Sequence, residues 1–163
     1  MIRPAVRADL PAIMGFIRAL ADYEKLGGAV RFDPDVLAGH LFGARPMADV
    51  LIAEDAGAPV GFALFFHSFS TFEGRPGIYL EDLFVLPEAR GAGHGRALLS
   101  ALARLAVERG CARLDWQVLD WNEPSKAFYR ALGARHVAGW EPFRLKGAAL
   151  AALAAEAEAR EAD

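Results

Sequence analysis

The segment Arg90-Gly91-Ala92-Gly93-His94-Gly95-Arg96 sets three glycines within five residues and an arginine at either end. It falls between an apolar run and an amphipathic one. Glycine lets backbone N–H groups approach a ligand without interference from a Cβ. A helix starting here would add its own free N–H groups and partial positive charge. Together these features suit a phosphate or pyrophosphate, and Arg90 and Arg96 would bring charge nearby. A glycine-rich turn with no ligand would use the same residues. Two phosphate patterns are excluded. The third glycine of a dinucleotide fingerprint would fall at Arg96, and no Gly-Lys-Ser/Thr closes the loop as a P-loop requires.

Other residues could do chemistry. Glu81 and Asp82 interrupt the apolar run Gly77–Leu86. An unpaired carboxylate is expensive to bury. A solvated strand end would avoid that cost, and so would a cation arriving there. Regular strand alternation turns Asp82 to the face opposite Glu81, where it either meets a substrate or pairs with an arginine. Tyr129 follows Asn122 on a predicted helix; its phenol can donate a proton or simply pack. Tyr23 and Glu24 close the first predicted helix. Trp116 and Gln117 lie on a strand, where a tryptophan is equally at home in a core. His40, His67, His94 and His136 have no ligand spacing with one another or with Cys111, which argues against a metal site. His67, at a strand end, is an alternative base.

The elements that must position these residues can be read from periodicity and punctuation. Ile2–Val6 reads as a strand. Asp9 as N-cap and Pro11 in the first turn open a helix that runs to about Glu24. Asp33-Pro34 opens a second helix to about Phe42. Val50–Ala53 and Val60–His67 read as strands around the turn Asp55–Pro59, with Ser68–Gly74 as a loop before the strand Gly77–Leu86. Pro87–Gly95 is a loop, followed by a helix from about Arg96 to Arg109 with Gly110 beyond its end. Arg113–Leu119 alternates as a strand. Asn122 caps a helix ending at Gly133, His136–Leu145 supplies a last strand, and the Ala/Glu-rich tail from Gly147 to Asp163 is helical. Strands and helices mix throughout, which predicts an α/β-type sheet with helices on its faces.

At 163 residues the chain suits one domain, 1–163, with 146–163 as a C-terminal helical tail. A formal charge of −3 without a basic stripe argues against nucleic acid. Its single cysteine rules out a disulfide framework within the chain and favours a reducing compartment. No stretch reaches the ~20 apolar residues of a membrane span, and the first residues lack a signal-peptide pattern. The expectation is a cytoplasmic protein without a membrane partner.

The motifs resemble those of a known family. Arg90-x-x-Gly93-x-Gly95 matches the Arg/Gln-x-x-Gly-x-Gly/Ala signature of the GNAT acetyltransferases, between the fourth strand and the following helix. Tyr79-Leu80-Glu81-Asp82-Leu83-Phe84-Val85 and Asp120-Trp121-Asn122-Glu123-Pro124-Ser125, with Phe128-Tyr129 following, resemble the spermidine/spermine N-acetyltransferase group, which includes the thialysine N-acetyltransferases. The likeness runs from about Ile2 to Leu145. It implies a twisted mixed sheet, mostly antiparallel, with helices on both faces and central parallel strands that splay around the pantetheine of acetyl-CoA. It implies that Leu83, Phe84 and Val85 contact the cofactor through their backbone. Arg90, Gly91, Ala92, Gly93, His94, Gly95 and Arg96 would hold the pyrophosphate, and Asn122 and Ser125 would lie beside the cofactor. A homodimer is implied as well.

Acetyl transfer to an amine then gives the other residues work. At a pKa of about 10.4, only roughly one alkyl amine in 2,500 is neutral at pH 7, so the site must assist deprotonation. The resemblance makes Glu81 the candidate base, directly or through water, and Tyr129 the candidate acid that protonates the departing sulfur. It places Tyr23, Glu24, Glu81, Asp82, Trp116 and Gln117 on the acceptor side. Polyamine-acetylating relatives carry a further acid near Ser70, which is absent here. The Ser-Thr-Phe-x-Gly-Arg stretch and the run Val118–Asn122 look more like the thialysine branch, which prefers a short amine on an amino-acid-like skeleton. The reading is acetyl-CoA-dependent transfer to a small primary amine in a ternary complex. Acetylation of a protein lysine or N-terminus, or a non-catalytic CoA sensor, are the alternatives.

Overall fold

A computed structural model of the chain describes residues 1–161. Its sheet has five strands in the order β1-β2-β3-β4-β5. These are β1 (Ile2–Pro4), β2 (Asp49–Asp55), β3 (Ala58–Ser70), β4 (Arg75–Val85) and β5 (Leu114–Trp116). The first four pair antiparallel. β4 and β5 run parallel. The helices are α1 (Leu10–Tyr23), α2 (Pro34–Phe42), α3 (His94–Glu108), α4 (Glu123–Ala131) and α5 (Gly147–Glu161). The fold is therefore the mixed α/β sheet expected.

The chain forms two compact units, one from Met1 to Trp121 and a second beginning at Asn122. In the first, alternation along the strands divides the core in two. Val50, Ile52, Phe62 and Phe84 meet Ile13 and Phe16 of α1 and Leu41 of α2. Phe16 stacks on Phe62 with ring centroids 5.6 Å apart. On the other face α3 buries Leu98, Leu99, Leu102 and Ala106 against β2, β3 and β4. Complete burial of a side chain such as Phe62 or Leu102 contributes about 1.5–3 kcal/mol each.

Two hairpins order the sheet. Ala56 and Gly57, both at positive φ (46° and 82°), make the two-residue turn between β2 and β3. β3 extends to Ser70 and β4 starts at Arg75, so the connection is shorter than the predicted loop Ser68–Gly74. Ser70 Oγ accepts the Glu73 N–H at 3.3 Å to close it.

Three expectations are corrected. His136–Leu145 is not a strand: Gly139 sits at φ 87°, and Pro142 has no N–H to give a ladder. The strand predicted over Arg113–Leu119 is only three residues long. Asp9 does not cap α1 with its side chain. The tail is helical to Glu161 as expected; Ala162 and Asp163 lie outside the described residues.

The Asp9 carboxylate has other partners. Arg3 donates to it twice, Nη1 to Oδ2 at 2.7 Å and Nη2 to Oδ1 at 2.8 Å. The Val6 N–H donates to it at 2.8 Å, and Arg3 Nε reaches Glu54 at 2.8 Å. Asp9 is buried, and the hydrogen bond from Arg3 holds its pKa below the usual carboxylate range. Asp9→Ala removes two of the guanidinium's hydrogen bonds, leaving Arg3 with Glu54, and leaves the Val6 N–H without its acceptor, at a cost of about 3 kcal/mol. Because the folded pKa is depressed, this stabilisation is complete above the unfolded value of about 3.9 and fades as pH falls through the folded pKa. Urea unfolding of wild type and variant should show the gap at pH 7 and a smaller one at pH 3. An equal gap at both would refute the charged pairing.

Candidate active site

The candidate site forms where β4 changes character. Pairing with β5 joins Ile78, Tyr79 and Leu80 to Leu114, Asp115 and Trp116. On the β3 side the register shifts: Phe65 pairs with Leu80 and Leu64 with Asp82, leaving Glu81 as an extra residue. Such a bulge bends its strand and breaks the local ladder. The parallel pairing to β5 stops at this step, which shortens β5. Beyond it, Leu83, Phe84 and Val85 remain paired with Ala63, Phe62 and Gly61 on one side only. The parting of parallel strands expected from the sequence therefore lies at Leu80 and Trp116. Gly61 fits because a Cβ there would stand 2.6 Å from the Phe84 carbonyl oxygen.

The bulge changes the carboxylate pair. Regular alternation would set Asp82 away from Glu81, but the period is interrupted between them. Glu81 is exposed and Asp82 is half-buried. Burial raises the Asp82 pKa to about 6, with further contributions from the charges of Glu81 and Glu24. Glu24 follows the last residue of α1, and its own pKa is raised by burial. Asp82 thus lies within electrostatic reach of both Glu81 and Glu24, the other two predicted acceptor-side acids. Tyr79 joins them: its pKa is raised by burial and by the charges of Glu81 and Asp115.

The glycine loop follows. Gly91 and Gly93 adopt φ of 83° and 85°, a region that disfavours side chains. A Cβ built on either would meet no atom within 4 Å beyond its chain neighbours, so backbone conformation, not packing, selects glycine. α3 begins at His94, two residues earlier than predicted, because Gly93 in the left-handed region already serves as its N-cap. The Gly93 carbonyl accepts the first helical bond, from Ala97 N–H at 2.9 Å. The leading N–H groups are then those of His94, Gly95 and Arg96, at the positive end of a 15-residue helix. An open turn of this kind, with Arg96 exposed on the first helical turn, has the chemistry to hold a diphosphate.

The side chains of two loop residues make contacts within the chain. Arg90 Nε donates to the Val85 carbonyl at 3.0 Å, and its guanidinium stands 5.6 Å over the Phe84 ring and 5.2 Å over that of Tyr23. His94 is largely buried, with Nε2 3.9 Å from Asp55 Oδ2. Trp116 closes the β4–β5 ladder against Leu80, and Gln117 is exposed just after it. Lys25 and Trp121 also belong to this neighbourhood: the Tyr23 and Trp121 rings lie 6.3 Å apart, and Lys25 Nζ stands 4.9 Å over Trp121. Sequence reasoning gave neither a part; an aromatic residue directly before the Asn122 cap was the available signal. A separate cavity of about 200 Å3, lined in part by Pro4, Leu51, Phe65, Ala101 and Leu105, contains none of the predicted site residues.

In the second unit, Asn122 caps α4 as expected: its side chain accepts the Ser125 N–H at 3.2 Å. This bond ties together the two residues predicted to lie beside the cofactor. Tyr129 sits on the same helix, its ring centroid 5.5 Å from that of Phe128. The helix stops at Ala131, with Gly133 at φ 87° just beyond. Among the described residues no group of three His, Cys, Asp or Glu side chains is placed to hold a metal ion, and no helix is long and apolar enough to cross a membrane.

Residues 30–134 match the model of the acetyltransferase (GNAT) family. The chain is 41% identical over 165 aligned residues to a thialysine N-epsilon-acetyltransferase from Bos taurus, covering 94% of this chain and 96% of that one. It is 29% identical to an L-ornithine N5-acetyltransferase from Arabidopsis thaliana, covering 93% and 86%. Among solved structures, an integron cassette protein from the mobile metagenome of V. cholerae superposes with a TM-score of 0.78 at 29% identity, over 94% of this chain and 96% of that one. With the family's signature at a left-handed glycine turn that starts a helix, and its sheet parting at the same strand, this chain belongs to the GNAT acetyltransferase family and is an acyltransferase.

Proposed function

We propose that the protein transfers an acetyl group from acetyl-CoA to a small primary amine on an amino-acid-like skeleton, within a ternary complex. The observation that carries this reading is the convergence of Glu24, Glu81 and Asp82 at the one-sided end of β4, next to the glycine loop. Among the described residues no ion pair ties up these three acids, and together they attract an ammonium group. The names of the relatives support the same class, since thialysine and L-ornithine are amino acids with a side-chain amine.

Acetyl-CoA would supply the thioester, whose C–S bond breaks as the amine nitrogen bonds to the acetyl carbon. The N–H groups of the Gly91–Arg96 loop would hold its diphosphate, and the backbone of Leu83, Phe84 and Val85 its pantetheine. Asn122 and Ser125 belong to the same cofactor assignment. The acids bind the amine as its ammonium ion, and Glu81 takes its proton, with Asp82, its pKa raised to about 6 by burial, as a neighbour. Tyr129 is the acid that returns a proton to the departing sulfur. Trp116, Gln117 and Tyr23 complete the acceptor side. One acetyltransferase domain spans both units in this reading, as the extent of the family match suggests. A homodimer, drawn from the family likeness, and a cytoplasmic place, drawn from the single cysteine, belong to the proposal.

The test is CoA release by purified protein with thialysine, lysine, ornithine, polyamines and peptides. Amino acids with side-chain amines should lead. Turnover of peptides alone, or silence across the panel while acetyl-CoA still binds, would refute the small-amine acceptor. Tyr129→Phe should lower turnover and spare acetyl-CoA binding.

A further inference from the structure

Lys25 is placed with unusual care for an exposed lysine. It follows Glu24 at the end of α1 and takes φ 62°, a left-handed conformation that costs an ordinary residue about 1–2 kcal/mol. Its N–H donates to the Asp22 carbonyl at 3.1 Å, and the next N–H, of Leu26, returns to Ala21 at 2.7 Å. This turn brings the ammonium group back over the exposed Trp121 ring at 4.9 Å. Trp121 stands beside Tyr23, and Arg90 covers Tyr23. Arg90 is committed to the Val85 carbonyl. Lys25 rests on the face of an aromatic ring, a contact worth about 0.5–1 kcal/mol at an exposed site. Among the described residues no carboxylate forms an ion pair with it. It is therefore a cation held loosely at the rim of an acidic site, ready for a stronger partner.

The charges there are unlike. Glu24, Glu81 and Asp82 suit an ammonium ion and repel an anion. An acceptor carrying amines alone would satisfy the acids and gain nothing from Lys25. An α-amino acid with a side-chain amine brings both signs. We propose that Lys25 leaves Trp121 to bind the α-carboxylate of the acceptor, and so sets the preference for amino acids over the diamines that lack that group. This rests on the small-amine reading above and adds a specificity residue to it.

The experiment compares substrates that differ only by the carboxylate: L-ornithine with 1,4-diaminobutane, L-lysine with 1,5-diaminopentane, and thialysine with its decarboxylated analogue. Steady-state kinetics are measured at saturating acetyl-CoA for wild type, Lys25→Gln and Lys25→Arg. Wild type should favour the amino acid of at least one pair. Lys25→Gln should raise KM for that amino acid about tenfold, as expected for loss of a charge-assisted contact. Its kcat should hold, and KM for the matching diamine should not rise. Lys25→Arg should retain the preference. If wild type favours the diamines, or Lys25→Gln shifts both members of a pair alike or neither, Lys25 does not read the carboxylate and the amine reading survives alone. If wild type acetylates none of the six, both inferences fall.

Discussion

Gly93→Val is expected to reduce acetyl-CoA affinity by about 100-fold or more while leaving a folded protein. Gly93 lies at φ 85° and caps α3. A β-branched side chain is a genuine outlier in that region, at a cost of about 1–2 kcal/mol. Beyond its chain neighbours no protein atom stands within 4 Å of the new Cβ, so the fold loses only this backbone energy. The ligand loses more. Either the loop keeps its shape and the side chain fills the space before the helix N-terminus, or it relaxes and the N–H groups of residues 94–96 turn from a common point. The loss of two or three charge-assisted hydrogen bonds follows either way. Calorimetric titration with acetyl-CoA, beside a thermal melt, separates binding from folding. An unchanged affinity in a folded variant would show that the loop does not hold the cofactor.

The second large effect concerns the paired acids. Glu81→Gln is expected to lower kcat/KM about 100-fold or more, the scale of a lost general base. The pH profile carries further information. Asp82 titrates at about 6 because it is buried and because Glu81 and Glu24 repel its charge. Wild type should therefore show a rising limb of kcat/KM near pH 6, set by Asp82 and shifted by the charges beside it. In Glu81→Gln one of the repelling charges is gone, so the residual limb should move to lower pH. In Asp82→Asn it should disappear. Wild-type turnover in Glu81→Gln would remove Glu81 as base, and a limb unaffected by Asp82→Asn would remove Asp82 as the titrating group.

Local chemistry was legible in the sequence; convergence was not. The glycine turn could be read because only glycine tolerates φ near 85° at Gly91 and Gly93. The caps at Asp33 and Asn122 were legible because their side chains serve N–H groups two or three residues on. Asp9 deceived for the same reason: it has the right type before a helix, but Arg3 and the Val6 N–H claim its carboxylate. The apolar residues Trp140 and Phe143 suggested a strand over His136–Leu145, yet a strand is defined by a neighbour's hydrogen bonds, which no periodicity reveals. The meeting of Glu24 with Asp82 joins a helix end to a distant strand. Only the resemblance placed both on one side of the site.

The bulge in β4 has a consequence for how this strand divides its labour. Phe65 opposite Leu80 and Leu64 opposite Asp82 would be consecutive rungs of an unbroken ladder if Glu81 were absent. Leu80 would still fill one core and Phe84 the other. Glu81 is thus surplus to folding: a residue the sheet carries without using. Its replacement should cost little stability, so a loss of turnover in a Glu81 variant would report on the site and not on the fold.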